Sequence, residues 1–182
     1  MKQKKGQFFL VAAIVIVVIV ISLVTVSNYI ERKDSVKLYD LGAEMEIESQ
    51  HVLDAGTYDG RSEEEMTQLM ENFIENYVNY TQGGKNLYFV FGNKDKINVK
   101  AYQELADESA CIKLDAANPN CTPLIIEETQ SFTPSTDIVI IQLTENGNVN
   151  EYQFLLTAGQ NFYFVIWQET EEGEKYVITS EE

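Results

Sequence analysis

The sequence predicts an α+β fold: a long N-terminal membrane-spanning helix, a second amphipathic helix, and a C-terminal antiparallel sheet. Three observations carry this. From Phe8 to Val26 the chain has no charge and no Pro, and only Ser22 and Thr25 are polar. From Ser62 to Tyr80 apolar residues recur at helical spacing. From Leu87 onward the pattern changes to β-branched and aromatic runs separated by turn residues.

The apolar run matches the about 20 residues, roughly 30 Å of helix, that cross a hydrocarbon core. A cleaved secretory signal is the alternative. Its apolar region covers only about 7–15 residues and ends in a small-residue site, which this run lacks. Richness in Val and Ile lowers helix propensity in water, but in lipid each peptide group must be satisfied within the segment. Lys2, Lys4 and Lys5 precede the run, and Glu31, Arg32, Lys33 and Asp34 nearly cancel beyond it. The positive-inside bias therefore puts the N-terminus in the cytoplasm and the remainder outside a cell membrane crossed once. The expected organisation is a basic leader over 1–6, a transmembrane helix over 7–27 and an exterior α+β domain over 28–182.

Beyond the membrane the first helix is expected to continue to near Leu53, roughly 70 Å in all. Val36, Tyr39, Met45, Glu48 and Val52 fall on one side of it, with Leu38 and Leu41 flanking. Gly42 interrupts the period at a cost of about 1 kcal/mol. Residues 55–60, with Gly56 and Gly60, supply a C-cap and a turn. The second helix opens on a capping box, Ser62 with Glu65, and Glu63 to Glu65 suit the positive end of its dipole. Met66, Leu69, Met70, Phe73, Ile74, Tyr77 and Val78 form its apolar stripe, with Phe73 expected near the centre of a sheet-on-helix core.

Strands are read at LYFVF, INVKAY, DIVIIQL, VNEYQFLLT, FYFVIWQ and KYVIT. Short connections imply hairpins. In VNEYQFLLT, Asn150, Tyr152 and Phe154 alternate with Val149, Glu151 and Gln153 to give one buried face, whereas FYFVIW reads as covered on both. Residues 103–136 read as irregular. Gly92 to Lys96 read as a hairpin turn, since two lysines spoil them as a calcium loop.

Cys111 and Cys121 are the two cysteines. An oxidising exterior would let them bridge. Unpaired thiols are the alternative, and two Cys with no nearby His fall short of four zinc ligands. Asn79-Tyr80-Thr81 and Asn120-Cys121-Thr122 are possible glycosylation acceptors. Of 13 Lys and Arg, three precede the apolar run, as do none of the 29 Asp and Glu, and the net charge is −16. So anionic a chain lacks the clustered cations needed to neutralise phosphates, which excludes nucleic-acid partners. Catalytic signatures are absent. The single His51 reads as a packing or surface residue, Glu127-Glu128 as a solvated pair, and no nucleophile elbow, phosphate loop or metal helix is present. No enzyme, metal or cofactor is expected.

Lys5-Gly6-Gln7 followed by the long apolar segment resembles the class III signal of type IV prepilins, especially archaeal ones. The resemblance is confined to the N-terminal segment. It implies that a prepilin-type membrane peptidase cuts after Gly6, with Lys5 before it and Gln7 as the new N-terminus. It also implies homo- or hetero-oligomers assembled through the N-terminal helix beside membrane lipid. Val11 stands where many bacterial pilins place a Glu that pairs with the neighbouring mature N-terminus, and archaeal versions are more varied there. The expected function is a membrane-anchored, pilin-like structural or assembly subunit. A non-polymerising anchored binding domain is the alternative, and an exterior enzyme with an unrecognised site is a third reading.

Overall fold

A computed structural model of the chain describes residues 15–17, 37–81, 85–104, 108–115, 120–145, 147–169 and 174–180. The chain divides into two compact units, Met1–Asp40 and Leu41–Glu182. In the first, residues 15–17 are helical and exposed. The leader, and the expected 7–27 helix apart from those three residues, lie outside the described residues.

The expected long N-terminal helix is not seen, and this corrects the fold class drawn from the sequence. Among the described residues no helix is long and apolar enough to cross a membrane. The first extended helix, α1 (residues 37–58), carries Lys37, Asp40, Glu44, Glu46, Glu48 and Asp54. These charges confine its apolar surface to one stripe, so it is an amphipathic helix built for a protein surface and water.

Within the second unit that stripe is Gly42, Met45, Ser49 and Gly56, all buried, with Leu41, Val52 and Leu53 half-buried. It differs from the expected face: Tyr39 and Glu48 are exposed, and Val36 lies outside the described residues. Small residues explain the shift. A methyl group at Gly42 would come within 2.7 Å of Ile178 Cγ2, and one at Gly56 would strike the Met66 thioether. Both glycines are therefore contact points, where backbone comes as near to a neighbour as a side chain would otherwise stand. The helix ends in a Schellman motif. Arg61 N–H donates to Gly56 O at 3.1 Å and Gly60 N–H to Thr57 O at 3.1 Å, with Gly60 at φ 67°.

Helix α2 (Glu63–Thr81) starts with the expected reciprocal cap. Ser62 N–H donates to Glu65 Oε2 at 2.8 Å, and Glu65 N–H to Ser62 Oγ at 3.3 Å. The backbone bond from Ser62, then its hydroxyl, hold the Glu65 carboxyl below the usual carboxylate range. Met66, Met70, Ile74 and Tyr77 are the buried residues of α2. Phe73 is half-buried at the flank of this line, where it meets Phe162 edge-on at 5.7 Å. Tyr77 ties the helices together by donating its hydroxyl proton to Leu41 O at 2.5 Å. Burial, then the negative charge of Glu44 and Glu48, push that hydroxyl pKa well above the usual tyrosine value.

Two antiparallel sheets follow, where the sequence suggests one. The first runs β5-β2-β1-β8-β9 and the second β4-β3-β6-β7. The first comprises β1 (Lys85–Gly92), β2 (Ile97–Tyr102), β5 (Thr129–Phe132), β8 (Asn161–Glu169) and β9 (Lys175–Thr179). The second comprises β3 (Glu108–Lys113), β4 (Thr122–Pro123), β6 (Ile138–Glu145) and β7 (Asn148–Leu155). Strands β3, β4 and β5 occupy the stretch 103–136 that reads as irregular. Their apolar residues are too few and too scattered for period-2 counting to detect.

The sheets face one another. Tyr88, Val90, Ile97, Val99 and Val165 of the first join Ala110, Ile112, Val139, Ile141, Leu143 and Phe154 of the second in one core. Alternate residues point the other way along each strand. On the opposite face of the first sheet, Leu87, Phe89, Phe91, Phe164 and Ile166 are also buried, and contacts such as Phe73–Phe162 and Gly42–Ile178 show helices covering it. The layers are thus helices, first sheet, second sheet. The Gly92–Lys96 turn forms as expected, Asn93 Oδ1 accepting from the N–H groups of Asp95 and Lys96, both at 2.9 Å.

The face assignment of α1 can be tested by truncation. Met45→Ala, at a wholly buried position, should lower the unfolding free energy by about 2–5 kcal/mol through lost burial and a residual cavity. Tyr39→Ala should stay within about 0.5 kcal/mol. Trp167 is the single tryptophan and is 4 % exposed, so its fluorescence reports the transition.

Candidate functional site

A cleft of about 440 Å³ lies where the C-terminal half of α2 passes over β1 and β2; its polar lining includes Glu75, Lys85, Lys100, Tyr102, Glu104 and Glu127. Helical phase brings Glu75 and Asn79 to one side of α2, and strand alternation brings Lys100 and Tyr102 to the helix-facing side of β2.

Lys100 is the unexpected residue. It lies between Val99 and Ala101, both part of the inter-sheet core, and is itself 6 % exposed. Its ammonium donates to Glu75 Oε1 at 2.9 Å and stands 5.5 Å from the centre of the Tyr102 ring. Burial works to lower its pKa, but the hydrogen bond to the Glu75 carboxylate and the Tyr102 hydroxyl outweigh it, leaving the value above that of an ordinary lysine. The ammonium is therefore charged at neutral pH, with its carboxylate partner opening onto water. Sequence alone gives Lys100 no weight, because a lysine in a strand usually faces solvent.

Glu127 is the second residue missed. Its backbone lies in the left-handed region at φ 64°, the only described non-glycine residue at positive φ. Its N–H donates to Ala101 O at 2.7 Å, and Ile126 makes a parallel bridge to Ala101. These contacts fix the strained turn against β2; Glu127 and Glu128 are both exposed, as expected of a solvated pair, and Glu127 in addition borders the cleft. Such conformations cost on the order of 1–3 kcal/mol and recur at functional sites. At the cleft's other side Lys85 donates to Thr81 O at 3.1 Å, satisfying a carbonyl at the end of α2.

The sequence-predicted sites are not brought together here. Cys111 and Cys121 form a disulfide with Cα atoms 5.5 Å apart. It fastens β3 to the short edge strand β4 and lies in the second sheet, away from the cleft. Asn79 is exposed on α2, and Thr81 Oγ1 donates to Val78 O at 3.1 Å. Asn120 is exposed in the loop before Cys121, the setting expected of a glycosylation acceptor. Lys5, Gly6 and Gln7 lie outside the described residues. His51 borders a separate hollow of about 240 Å³ with Arg61, Asp59 and Leu69. Among the described residues no group of His, Cys, Asp and Glu could hold a metal ion.

Comparison with protein-family models, curated proteins and solved structures found no match to this chain.

Two measurements probe these features. Removing the exposed partner of a buried charge should be worse than removing the charge itself. Glu75→Ala should therefore destabilise the second unit by about 1–3 kcal/mol, and Lys100→Met by no more than about 1 kcal/mol. A raised folded-state pKa means the folded chain holds the proton more tightly than the unfolded chain. The contribution of Lys100 is thus complete below the ordinary lysine value of about 10.4 and lost as pH climbs through the folded-state value. Denaturant midpoints of wild type and Lys100→Met should converge or cross in that alkaline window.

For the disulfide, a bridge over a sequence separation of 10 should contribute about 2–3 kcal/mol on the chain-entropy account. Cys111→Ser, and reduction of the wild type, should lower the unfolding midpoint equally. Non-reducing peptide maps should show both cysteines in one linked fragment.

Proposed function

We infer that this chain is a membrane-anchored, pilin-like structural or assembly subunit, with its N-terminus in the cytoplasm and its disulfide-bonded unit outside the cell. The observation that carries the reading is the Lys5-Gly6-Gln7 junction placed directly before the apolar segment Phe8–Val26. A basic leader holds the N-terminus inside. Its removal after Gly6 would free apolar segments to pack side by side in lipid and then in a filament, by the apolar surfaces that lipid otherwise covers. Two further observations support it. The Cys111–Cys121 bridge suits an oxidising compartment, and a net charge of −16 suits a surface that must stay soluble. In this reading the archaeal type of prepilin is the relevant one, because Val11 replaces the Glu common in bacterial pilins.

A second reading, an anchored surface domain that binds a ligand without polymerising, is favoured by the strained Glu127 beside buried Lys100 in the cleft. Strain retained beside a water-open hollow is what a binding site would need and a pure scaffold would not.

Mass spectrometry of the mature N-terminus separates them. The subunit reading expects a chain beginning at Gln7, and Gly6→Leu should leave the leader in place, because a peptidase fitted to bare backbone would meet a side chain. An intact Met1 in the mature wild type overturns processing and leaves the binding domain as the better reading.

A further inference from the structure

We propose that β7 is a self-complementary docking edge through which two copies of this chain join their second sheets into one continuous eight-stranded sheet. The four sheet edges are unequal. Strand β4 has two residues, one of them Pro123, while β5 has four and β9 has five beginning with Lys175. Short length, Pro and Lys are the usual defences against edge pairing. Strand β7 has eight residues, Asn148–Leu155, and contains neither Pro nor Lys.

The backbone of β7 is set for a partner. Leu156 N–H donates to Asp137 O at 2.7 Å, and this pair continues the register Val139↔Phe154, Ile141↔Tyr152 and Leu143↔Asn150. In an antiparallel ladder alternate residues exchange hydrogen bonds with one neighbour. Residues 150, 152 and 154 therefore bond to β6, and the N–H and C=O groups of Val149, Glu151, Gln153 and Leu155 point away from it. All four residues are exposed. Leu155 O already accepts from the Tyr163 hydroxyl, and a carbonyl can accept twice.

Side chains choose the occupant. About a two-fold axis through Tyr152, an antiparallel copy sets Val149 opposite Leu155 and Glu151 opposite Gln153, each pair occurring twice. Val149 and Leu155 are 53 % and 52 % exposed, and each would gain an apolar neighbour. The charge of Glu151 is already met by Lys113 at 2.5 Å. The one acid on the edge thus does not repel its copy, although the chain as a whole is strongly anionic. A register one pair away in one direction would put Glu151 opposite Glu151, and in the other opposite Leu155, so the two-fold through Tyr152 is the one of these three that sets the carboxylate opposite an amide.

This contact is independent of leader cleavage, so it can fail while the subunit reading stands, and the reverse. The test uses the full chain in detergent micelles, where contacts between apolar segments are common to every variant. Glu151→Cys and Gln153→Cys chains are prepared separately, then oxidised alone and as a mixture. Directly opposed residues of a bonded antiparallel pair have Cα atoms about 5.5 Å apart, within disulfide reach. The mixture should give a covalent heterodimer several-fold in excess of the homodimer from either variant alone. Equal yields, or no covalent dimer, overturn the proposal. A second pair of variants leaves the cysteines untouched. Gln153→Glu opposes like charges twice and Gln153→Lys opposes unlike charges twice, so dimerisation should be roughly fivefold or more weaker in the first than in the second. Indistinguishable dimerisation of the two also overturns it.

Discussion

Burial of both faces of the first sheet is the constraint on which the rest of the second unit depends. Along β1, Tyr88 and Val90 enter the core shared with the second sheet, while Leu87, Phe89 and Phe91 turn to the opposite face and are equally buried. A strand apolar on both faces needs two covering layers. That requirement accounts for the second sheet on one side and for the helices on the other. It also accounts for the close approach of α1 at Gly42, since any side chain there would hold the helix off Ile178. The layer order further explains why Lys100 is tolerated. It sits on the helix-facing side of β2, where Glu75, two residues before Tyr77 in α2, reaches it at 2.9 Å and the cleft admits water.

Polar groups inside this arrangement are handled locally. Asn98 Oδ1 accepts from Ser131 Oγ at 2.7 Å across β2 and β5. Asn161 closes the turn before β8, accepting from Thr157 N–H at 2.8 Å and donating to Gly92 O at 3.3 Å. Both side chains are buried, and among the described residues every buried side-chain polar atom has a partner. An unpaired group in such a place would cost about 1–3 kcal/mol, so these asparagines fix strand register as well as filling space. Each joins elements distant in sequence, which makes the turn at Gly92–Lys96 and the turn before Asn161 parts of one structure.

What could be read in the sequence was what is decided locally. The Ser62–Glu65 cap and the Asn93 turn depend on neighbours within a few residues and form as expected; Gly60 does end α1, but the helix runs to residue 58 and includes Gly56, past the end expected near Leu53. The buried face of β7 was legible because Tyr152 and Phe154 alternate with polar residues. Two properties were not legible. Strand alternation says which residues share a face but not which sheet a strand joins, so two sheets read as one. Apolar counting also fails where contact is made by small residues: Gly42, Ser49 and Gly56 lie buried beside Met45 on the packed face of α1, yet each counts against it. The candidate site was hidden for a related reason. Lys100 looks like a surface residue until the fold buries it and supplies Glu75, and Glu127, exposed as expected, gains its place at the cleft from a left-handed turn that sequence pattern does not reveal. The processing site, resting on residues 5–7, is read from sequence alone.

Charge distribution gives the edges of the two sheets different characters. At one end of the layers Lys175 pairs with Glu145, linking β9 of the first sheet to β6 of the second, and the same lysine stands 5.4 Å from the Trp167 ring centre. That edge is thereby engaged within the chain. Across the outer face of the second sheet, Lys113 reaches over β6 to Glu151, two strands joined by one ion pair, with Ile140 of the intervening strand 2 % exposed. An exposed pair of this kind contributes little to stability, typically under about 1 kcal/mol. Its larger effect is on what can approach. In a chain carrying sixteen net negative charges the overall charge opposes association with a second copy, while screening at physiological salt leaves contacts shorter than about 8 Å governed by local charge. Among the four edge strands β7 alone carries an acid, Glu151, and its pairing with Lys113 removes the charge that would otherwise bar that long edge from a second copy.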